Sequence, residues 1–228
     1  FFRLFLEKCL FQIGCYFSKE VWLTSKEFLR NLKINESKIR IIPNKIFVNK
    51  KYIKLKKKNE LIFCGRISKE KGIYEFLKIL KKYRPDLILQ MYGSVDKKME
   101  DYKDLCLSLN NSKLHGMKTI EEICKIMEES KILCLPSPYE GFPKVVVEAM
   151  SCGCVPIVRD FPSALEIIPS EKLVCKNNYT MLKSINKILR DYDTPSVKEI
   201  IKKNKTKSYQ YSFEKILQYE VSIFNKYN

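Results

Sequence analysis

The chain has 228 residues, of which 45% are apolar and 30% are charged, and its formal net charge is +17 at pH 7. A chain of this length buries a large core without disulfides or a structural metal, and its apolar content excludes intrinsic disorder. Only 7 of the 43 basic residues are arginine, the side chain preferred for reading phosphates, so we expect no specific nucleic-acid partner.

Nine cysteines are present, an odd number, and no two of them form a C-x-x-C pair. This usage favours free thiols in a reducing compartment and predicts a cytoplasmic protein. No run of about 18 apolar residues predicts a membrane-spanning helix. The apolar residues 1–17 and the lysine excess suit peripheral association with the inner face of an anionic membrane. The first residue is Phe1 rather than Met, so we expect a piece of a longer protein.

The first part of the chain carries two short strand patterns, at 21–25 and 39–42. A charge run follows, with six lysines among the nine residues of 50–58. Such a run is typical of a solvated segment rather than of a packed one. We therefore predict a first segment at 1–44 and a basic linker at 45–58.

From Leu61 onward, short apolar runs alternate with helical patterns, which is typical of β-α-β units and a parallel sheet. The clearest strand patterns are 61–64, 87–92, 113–115, 132–135 and 155–158. About six strands, each followed by a helix, predict a doubly wound, Rossmann-like α/β domain at 59–210. An apolar stripe from Ser212 predicts a terminal helix within 211–228, with Phe213, Ile216, Leu217, Val221 and Phe224 on one face.

Two local signals refine this prediction. Thr119 followed by Glu122 forms a capping-box pattern, which predicts a helix that begins there and ends near Glu129. Glycines follow three of the predicted strands, at Gly65, Gly93 and Gly116. In a doubly wound sheet, ligands bind at the carboxyl ends of the strands where the strand order reverses, so these loops are candidates for a binding site.

The most informative segment is 136–150, which reads PSPYEGFPKVVVEAM and follows a predicted strand. Pro143 is typical of the first turn of a helix, and the free amides of 144–146 would then seat an anion. Glu140 precedes this seat and Glu148 lies on the helix, so we expect their carboxylates on the order of 8–12 Å apart. This arrangement suits an elongated ligand with an anionic middle and a hydroxyl-rich group at each end, such as a nucleoside diphosphate sugar.

The string SPYEGFP at 137–143, with Glu148 following it, resembles the donor-binding motif of retaining glycosyltransferases of the GT-B fold, family 4, known for an E-x7-E pattern. The strings AMSCG at 149–153, VPIV at 155–158 and GRISKEKG at 65–72 continue the resemblance. It implies transfer of a sugar from a nucleotide donor to an acceptor hydroxyl with retention, without a metal or a resident cofactor. We expect a role in the synthesis of cell-surface polysaccharide or glycolipid.

The resemblance also implies roles for individual residues. Arg66 and Lys71 would hold the donor diphosphate and assist its departure, and Glu140 would contact the donor sugar, so these three are the catalytic candidates. Glu148 would contact the ribose. The implied substrate-binding residues are Gly65, Met117, Gly141, Phe142, Pro143, Lys144, Val145, Val146 and Glu148. Pro162, Ser163 and Ala164 stand where the family frequently has a Gly-Gly pair, and Glu166 in the same loop is a candidate for capping or orienting the site.

GT-B enzymes have two Rossmann-like domains, the first of which binds the acceptor. Residues 1–44 resemble only the tail of that first domain, and the helix at 211–228 resembles the element that crosses back to it. We therefore expect the chain to be a donor-binding part without full activity of its own. Its expected partners are a nucleotide sugar and an acceptor glycan or glycolipid. A non-catalytic nucleotide-sugar-binding module, or an inactive fragment, stays open as the alternative.

Overall fold

The computed structural model describes residues 2–26, 29, 34–47, 57–95 and 97–226, and the side chains of these apart from residues 2–9 and 97. The chain begins with helix α1 (Phe2–Phe17) and two short parallel strands, β1 (Val21–Leu23) and β2 (Ile39–Ile41). Both strand patterns of the first segment are thus confirmed, each ending one or two residues early. Cys15, Val21 and Leu23 form the small buried cluster of this segment.

Among the described residues, a second sheet contains six parallel strands. They are β3 (Lys58–Cys64), β4 (Leu89–Tyr92), β5 (Ser112–Leu114), β6 (Ser130–Leu135), β7 (Val155–Arg159) and β8 (Val174–Cys175). The strand order β5-β4-β3-β6-β7-β8 reverses between β3 and β6, which is the switch point of a doubly wound sheet. The predicted Rossmann-like α/β fold is confirmed.

Helices connect these strands and cover both faces of the sheet. They are α2 (Ile73–Tyr83), α3 (Glu100–Leu107), α4 (Ile120–Glu129), α5 (Lys144–Ser151), α6 (Ala164–Ile167), α7 (Asn178–Arg190), α8 (Pro195–Ser208) and α9 (Phe213–Phe224). Because both faces are covered, consecutive residues of β3 from Leu61 to Phe63 are fully buried. The capping box of α4 is confirmed, since the Thr119 and Glu122 side chains each accept from the other residue's backbone amide. No helix in these ranges is both long and apolar enough to span a bilayer.

Of the predicted basic linker at 45–58, residues 45–47 and 57–58 are described and residues 48–56 lie outside the described residues, so the linker stays a prediction. Ile46 is only 2% exposed. Its backbone amide donates to the Tyr211 carbonyl at 3.0 Å, and its own carbonyl accepts from the Phe213 amide at 2.9 Å. Ile46, which precedes the charge run at 50–58, is therefore packed, because burying its side chain removes apolar surface from water.

The second end of the predicted linker is also packed. The Lys57 ammonium lies within 3.2 Å of three main-chain carbonyls, those of Met127, Ser130 and Cys152. Burial lowers the pKa of Lys57 below its ordinary value, and nearby acidic groups oppose that shift. Strand β3 begins at Lys58, three residues before the predicted start, because polar residues extend the strand beyond its apolar run.

Helix α9 begins after Ser212, whose side chain caps it by accepting from the Lys215 amide, and it packs against the first segment. Ile216 and Ile223 form a buried cluster with Ile42. The predicted apolar face is buried only in part, since Ile216 is 5% exposed whereas Leu217, Val221 and Phe224 are 40–58% exposed. The assignment of residues 1–44 and 211–228 to a first domain stays a prediction.

Candidate functional site

The loops that follow β3 and β6 enclose a cleft at the switch point of the sheet. Two adjoining cavities, of about 370 and 410 Å³, lie in this cleft. The first, which we call the Glu148 cavity, is lined by Cys64, Gly65, Arg66, Tyr92, Gly93, Ser94, Met117, Lys118, Ile120, Ile123, Val145 and Glu148. The second, the Lys71 cavity, is lined by Phe63, Cys64, Gly65, Arg66, Lys71, Leu135, Glu140, Pro143, Lys144 and Val145. Four residues, Cys64, Gly65, Arg66 and Val145, line both, so one elongated ligand can occupy the two together.

Glycines at the ends of neighbouring strands let the loops of the cleft approach closely. Gly93 has φ +150°, and a Cβ atom placed on it would lie 1.9 Å from the Gly65 carbonyl oxygen. The Gly65 amide donates to the Tyr92 carbonyl at 2.9 Å, and the Gly93 amide donates to the Gly116 carbonyl at 2.8 Å. Backbone hydrogen bonds therefore fix three of the loops that line the cleft relative to one another.

Lys71 and Glu140, which are 69 residues apart in sequence, form an ion pair in the Lys71 cavity with 2.6 Å between Nζ and Oε1. Both side chains are largely buried, at 24% and 12% exposure. Gly72 directly after Lys71 has φ +64°, and a Cβ there would lie 2.8 Å from the Pro136 carbonyl. Only a glycine allows this close approach, which brings the Lys71 loop against the loop that carries Glu140.

Helix α5 directs its first turn toward the Lys71 cavity, where Pro143 and Lys144 line the wall. No described backbone carbonyl accepts from the amides of Lys144 and Val145, so both remain available at the positive end of the helix dipole. The expected free amide at Val146 is wrong, because it donates to the Pro143 carbonyl at 3.1 Å. The predicted anion seat would therefore offer two free amides rather than three.

Glu148 lies one turn further along α5 and is half-buried in the wall of its cavity. Burial raises the pKa of Glu148 above its ordinary value, and the nearby Lys144 ammonium partly opposes this shift. A half-buried carboxylate that faces a cavity has oxygen lone pairs free to accept hydrogen bonds from ligand hydroxyls.

Most of the predicted site residues come together in this cleft. Gly65, Arg66, Lys71, Met117, Glu140, Pro143, Lys144, Val145 and Glu148 line one or both cavities. Gly141, Phe142 and Val146 line neither of the two, although Gly141 and Phe142 follow Glu140 directly. The roles of these residues stay predictions.

Several lining residues were not singled out from the sequence. Tyr92 and Ser94 flank Gly93, and Ile120 and Ile123 lie on the first turn of α4. Their common signal is position, because each lies at or just after the end of a parallel strand or at the start of the following helix. His115 follows β5, and its ring stacks on Tyr92 with centroids 4.8 Å apart.

The loop between β7 and α6 contacts the loop that carries Glu140. The Ser163 hydroxyl donates to the Gly141 carbonyl at 2.6 Å. The Glu166 carboxylate accepts from the Ser25 hydroxyl at 3.0 Å and from the Lys26 amide at 3.3 Å. Glu166 thus joins this loop to the first segment of the chain. It is not among the residues that line the Glu148 cavity or the Lys71 cavity.

The sequence of the chain is similar to a known family and to several curated proteins. A family model described as "Glycosyl transferases group 1" matches residues 44–207. An uncharacterized glycosyltransferase of Haemophilus influenzae is 28% identical over 186 residues, covering 77% of this chain and 51% of that protein. The N,N'-diacetylbacillosaminyl-diphospho-undecaprenol alpha-1,3-N-acetylgalactosaminyltransferase of Campylobacter jejuni is 27% identical over 164 residues, covering 64% of this chain and 42% of that protein. The chain thus spans about half the length of the curated relatives it matches.

Solved structures share the same fold at low sequence identity. Anabaena Alr3699/HepE, crystallised with UDP and glucose, superposes with a TM-score of 0.76 at 19% identity over 92% of this chain and 64% of that one. Sucrose-phosphate synthase from Thermosynechococcus elongatus superposes with a TM-score of 0.79 at 18% identity over 98% of this chain and 61% of that one. These likenesses confirm the predicted type of fold, the GT-B Rossmann-like sheet.

Proposed function

Because this chain belongs to the glycosyl transferases group 1 family, we propose that it is the donor-binding part of a retaining glycosyltransferase that uses a nucleoside diphosphate sugar. The observation that carries the proposal is Arg66, which lines both cavities between the Lys71–Glu140 pair on one side and Glu148 on the other. A cation at the junction of two cavities suits a ligand whose charge lies in its middle.

Each part of such a donor has a complementary wall. The ribose hydroxyls would donate to Glu148, with the base beside Met117. The diphosphate would lie against Arg66, Lys71 and the free amides at the start of α5, where the helix dipole also favours an anion. The sugar would extend past Lys71 toward Glu140.

The same groups would assist the reaction. When the bond from the anomeric carbon to the diphosphate oxygen breaks, negative charge grows on that oxygen, and the cations of Arg66 and Lys71 stabilise it. Two such cations can supply the charge that a divalent metal would otherwise provide, so we propose metal-independent transfer. Glu140 orients the sugar and forms no covalent intermediate.

The Lys71–Glu140 ion pair gives the proposal a consequence for binding. A diphosphate that enters the Lys71 cavity competes with the Glu140 carboxylate for the Lys71 ammonium. Once Lys71 turns to phosphate, the Glu140 oxygens are free to accept from sugar hydroxyls. Donor binding would thus place both side chains in the positions that transfer requires.

We propose that the acceptor is a glycan or glycolipid bound by a part of the protein outside this chain. The name of the Campylobacter jejuni relative, which gives a diphospho-undecaprenol acceptor, supports a lipid-linked acceptor here. Apolar side chains of α1 at Leu10, Phe11, Ile13, Tyr16 and Phe17 are 51–80% exposed, which suits a cytoplasmic protein held at the inner face of a membrane. We likewise assign residues 1–44, with α9 packed on them, to the acceptor domain.

Isothermal titration of the chain with UDP, GDP and ADP tests the donor site. We expect one of the three to bind and the double variant Arg66→Ala, Lys71→Ala to weaken that binding by at least about 30-fold, since two charge-assisted hydrogen-bonding groups are lost. Lys69→Ala is the matched control, because Lys69 is exposed in the same loop and lines neither cavity.

The titration also addresses the alternative of a non-catalytic module. Failure of all three diphosphates to bind the folded wild-type chain would contradict the proposed donor site. Binding that the double variant leaves intact would contradict the roles of Arg66 and Lys71. Binding without transfer by the longer protein would favour the non-catalytic module.

A further inference from the structure

We propose that Ser163 is a positioning residue for the donor sugar, and this inference rests on the proposed function. Its hydroxyl fixes the peptide plane between Gly141 and Phe142, and so holds the loop that carries Glu140, the residue proposed to orient the sugar that follows the diphosphate. The residue touches neither cavity, and it acts through the loop in front of it.

The hydrogen bond itself is the first observation. Ser163 is 1% exposed, and its hydroxyl donates to the Gly141 carbonyl at 2.6 Å. Ser163 also occupies the N-cap position of α6, where a serine side chain ordinarily accepts from an amide of the first helical turn. Here the side chain makes no such capping bond. The hydroxyl is directed at the Glu140 loop in place of its usual local partner.

The effect on the loop follows from peptide geometry. In a trans peptide, the carbonyl oxygen and the amide hydrogen of the next residue point in opposite directions. Described peptide bonds are all trans, so the Phe142 amide points away from the Ser163 hydroxyl. Two further contacts hold the other side of Phe142. Its ring packs edge-on against Tyr211 at 5.2 Å, and its carbonyl accepts from the Asn44 side-chain amide at 3.5 Å.

Ser163 is itself held firmly enough to act as a support. Its carbonyl accepts from the amides of Glu166 and Ile167 at 3.2 and 3.3 Å. The Glu166 carboxylate is in turn bound by the Ser25 hydroxyl and the Lys26 amide of the first segment. The donor to Gly141 therefore has little freedom to move, and a fixed donor orients its acceptor at a lower entropic cost than a mobile one.

The hydrogen bond from Ser163 depends on a residue type that is not general in the family. Ser163 stands in the loop where the family frequently has a Gly-Gly pair, and a glycine has no side chain with which to make this bond. The contribution to sugar binding that we propose is therefore a property of this chain and of relatives with a hydroxyl at the same place.

The test compares a nucleoside diphosphate with its sugar conjugate by isothermal titration. The probes are UDP with UDP-glucose and UDP-N-acetylglucosamine, GDP with GDP-mannose, and ADP with ADP-glucose. The pair that the wild type binds is used for the variants. We expect Ser163→Ala to weaken binding of the sugar conjugate about fivefold while leaving the parent diphosphate within about twofold, since one orienting hydrogen bond is lost. Ser163→Gly should do the same, and Ser163→Thr, which keeps the hydroxyl, should restore binding.

Ser130→Ala is the matched control, because Ser130 is fully buried and its hydroxyl donates to the Ile126 carbonyl at 2.7 Å, at the opposite end of β6. It should leave both affinities unchanged. An unchanged ratio of the two affinities in both Ser163→Ala and Ser163→Gly would overturn the proposal, as would equal weakening of both ligands. If the wild type binds none of UDP, GDP and ADP, the proposed function itself fails, which is a different result from an unchanged ratio.

Discussion

The two cavities of the cleft share one wall but are built in different ways. The Lys71 cavity depends on side-chain charges, with Lys71 and Glu140 paired at 2.6 Å and Lys144 beside them. The Glu148 cavity depends on backbone, since its walls are strand-end loops with Gly65 and Gly93 in contact. We infer that the first cavity recognises charge and that the second recognises shape and hydroxyl groups, so a mutation in each should affect a different part of the ligand.

The largest effect is expected from Gly93→Ala, which should distort both cavities at once. Gly93→Ala would place a Cβ atom 1.9 Å from the Gly65 carbonyl, so the shared wall must shift. We expect a loss of about 3 kcal/mol in the free energy of unfolding and loss of nucleoside diphosphate binding. Chemical denaturation and calorimetric titration would measure the two effects.

Gly14→Ala is the control for that substitution, because nothing lies within 4 Å of the added Cβ and the residue is helical. It should be neutral or stabilise the protein by about 0.5–1 kcal/mol. A stable Gly93→Ala variant with unchanged binding would show that the contact between the two loops does not shape the cleft.

The next largest effect is expected from Glu140→Gln, which changes the charge of the Lys71 cavity and keeps the size of the side chain. Glu140→Gln removes the carboxylate that holds Lys71, so the ammonium becomes free for phosphate. We expect the affinity for inorganic pyrophosphate to rise about threefold, which is the scale of a partly exposed ion pair. Glu148→Gln serves as the comparison and should leave pyrophosphate binding unchanged. A fall in pyrophosphate affinity in Glu140→Gln would contradict the competition between carboxylate and phosphate.

The smallest expected effect concerns the Glu148 cavity and its pH dependence. Burial raises the pKa of Glu148, so in the window above about 4.5 the folded state binds more protons than the unfolded state. Stability contributed by this group therefore falls as the pH rises through that window. Glu148→Gln should remove this pH dependence, which denaturation at pH 5 and pH 7 would measure.

The same substitution should weaken nucleoside diphosphate binding about fivefold at pH 7, because an amide replaces a charged acceptor for the ribose hydroxyls. Glu121→Gln on the exposed face of α4 is the control and should change neither property. If Glu148→Gln destabilised the protein at pH 7 and left binding unchanged, Glu148 would be a structural residue.

Much of the fold was predictable, because its signals are local. The capping box of Thr119 and Glu122 lies within one turn, and the buried stripe of α2, including Ile73 and Phe76, repeats at helical spacing. Most strands of the sheet follow from short apolar runs, and glycines follow three of these strands. Such features depend on neighbours in sequence, so they can be inferred before any tertiary contact is known.

Features that depend on distant contacts were not predictable. Ile46 lies within the predicted basic linker, yet it pairs with Ser212, the residue before α9. Ile223, which the predicted apolar stripe did not include, is buried together with Ile216 of that stripe because both pack against Ile42. In the site, the residue types near Glu140 were identifiable, but the Lys71–Glu140 pair and the Ser163 bond join positions 69 and 22 residues apart.

A crystal structure of the chain with the nucleoside diphosphate that it binds most tightly would test the central claim most directly. The account predicts one molecule across both cavities, with its phosphates against Arg66, Lys71 and the first turn of α5 and its ribose against Glu148. The Lys71–Glu140 ion pair should be broken in that complex. A nucleotide bound elsewhere, or one whose phosphates leave that ion pair intact, would contradict the account.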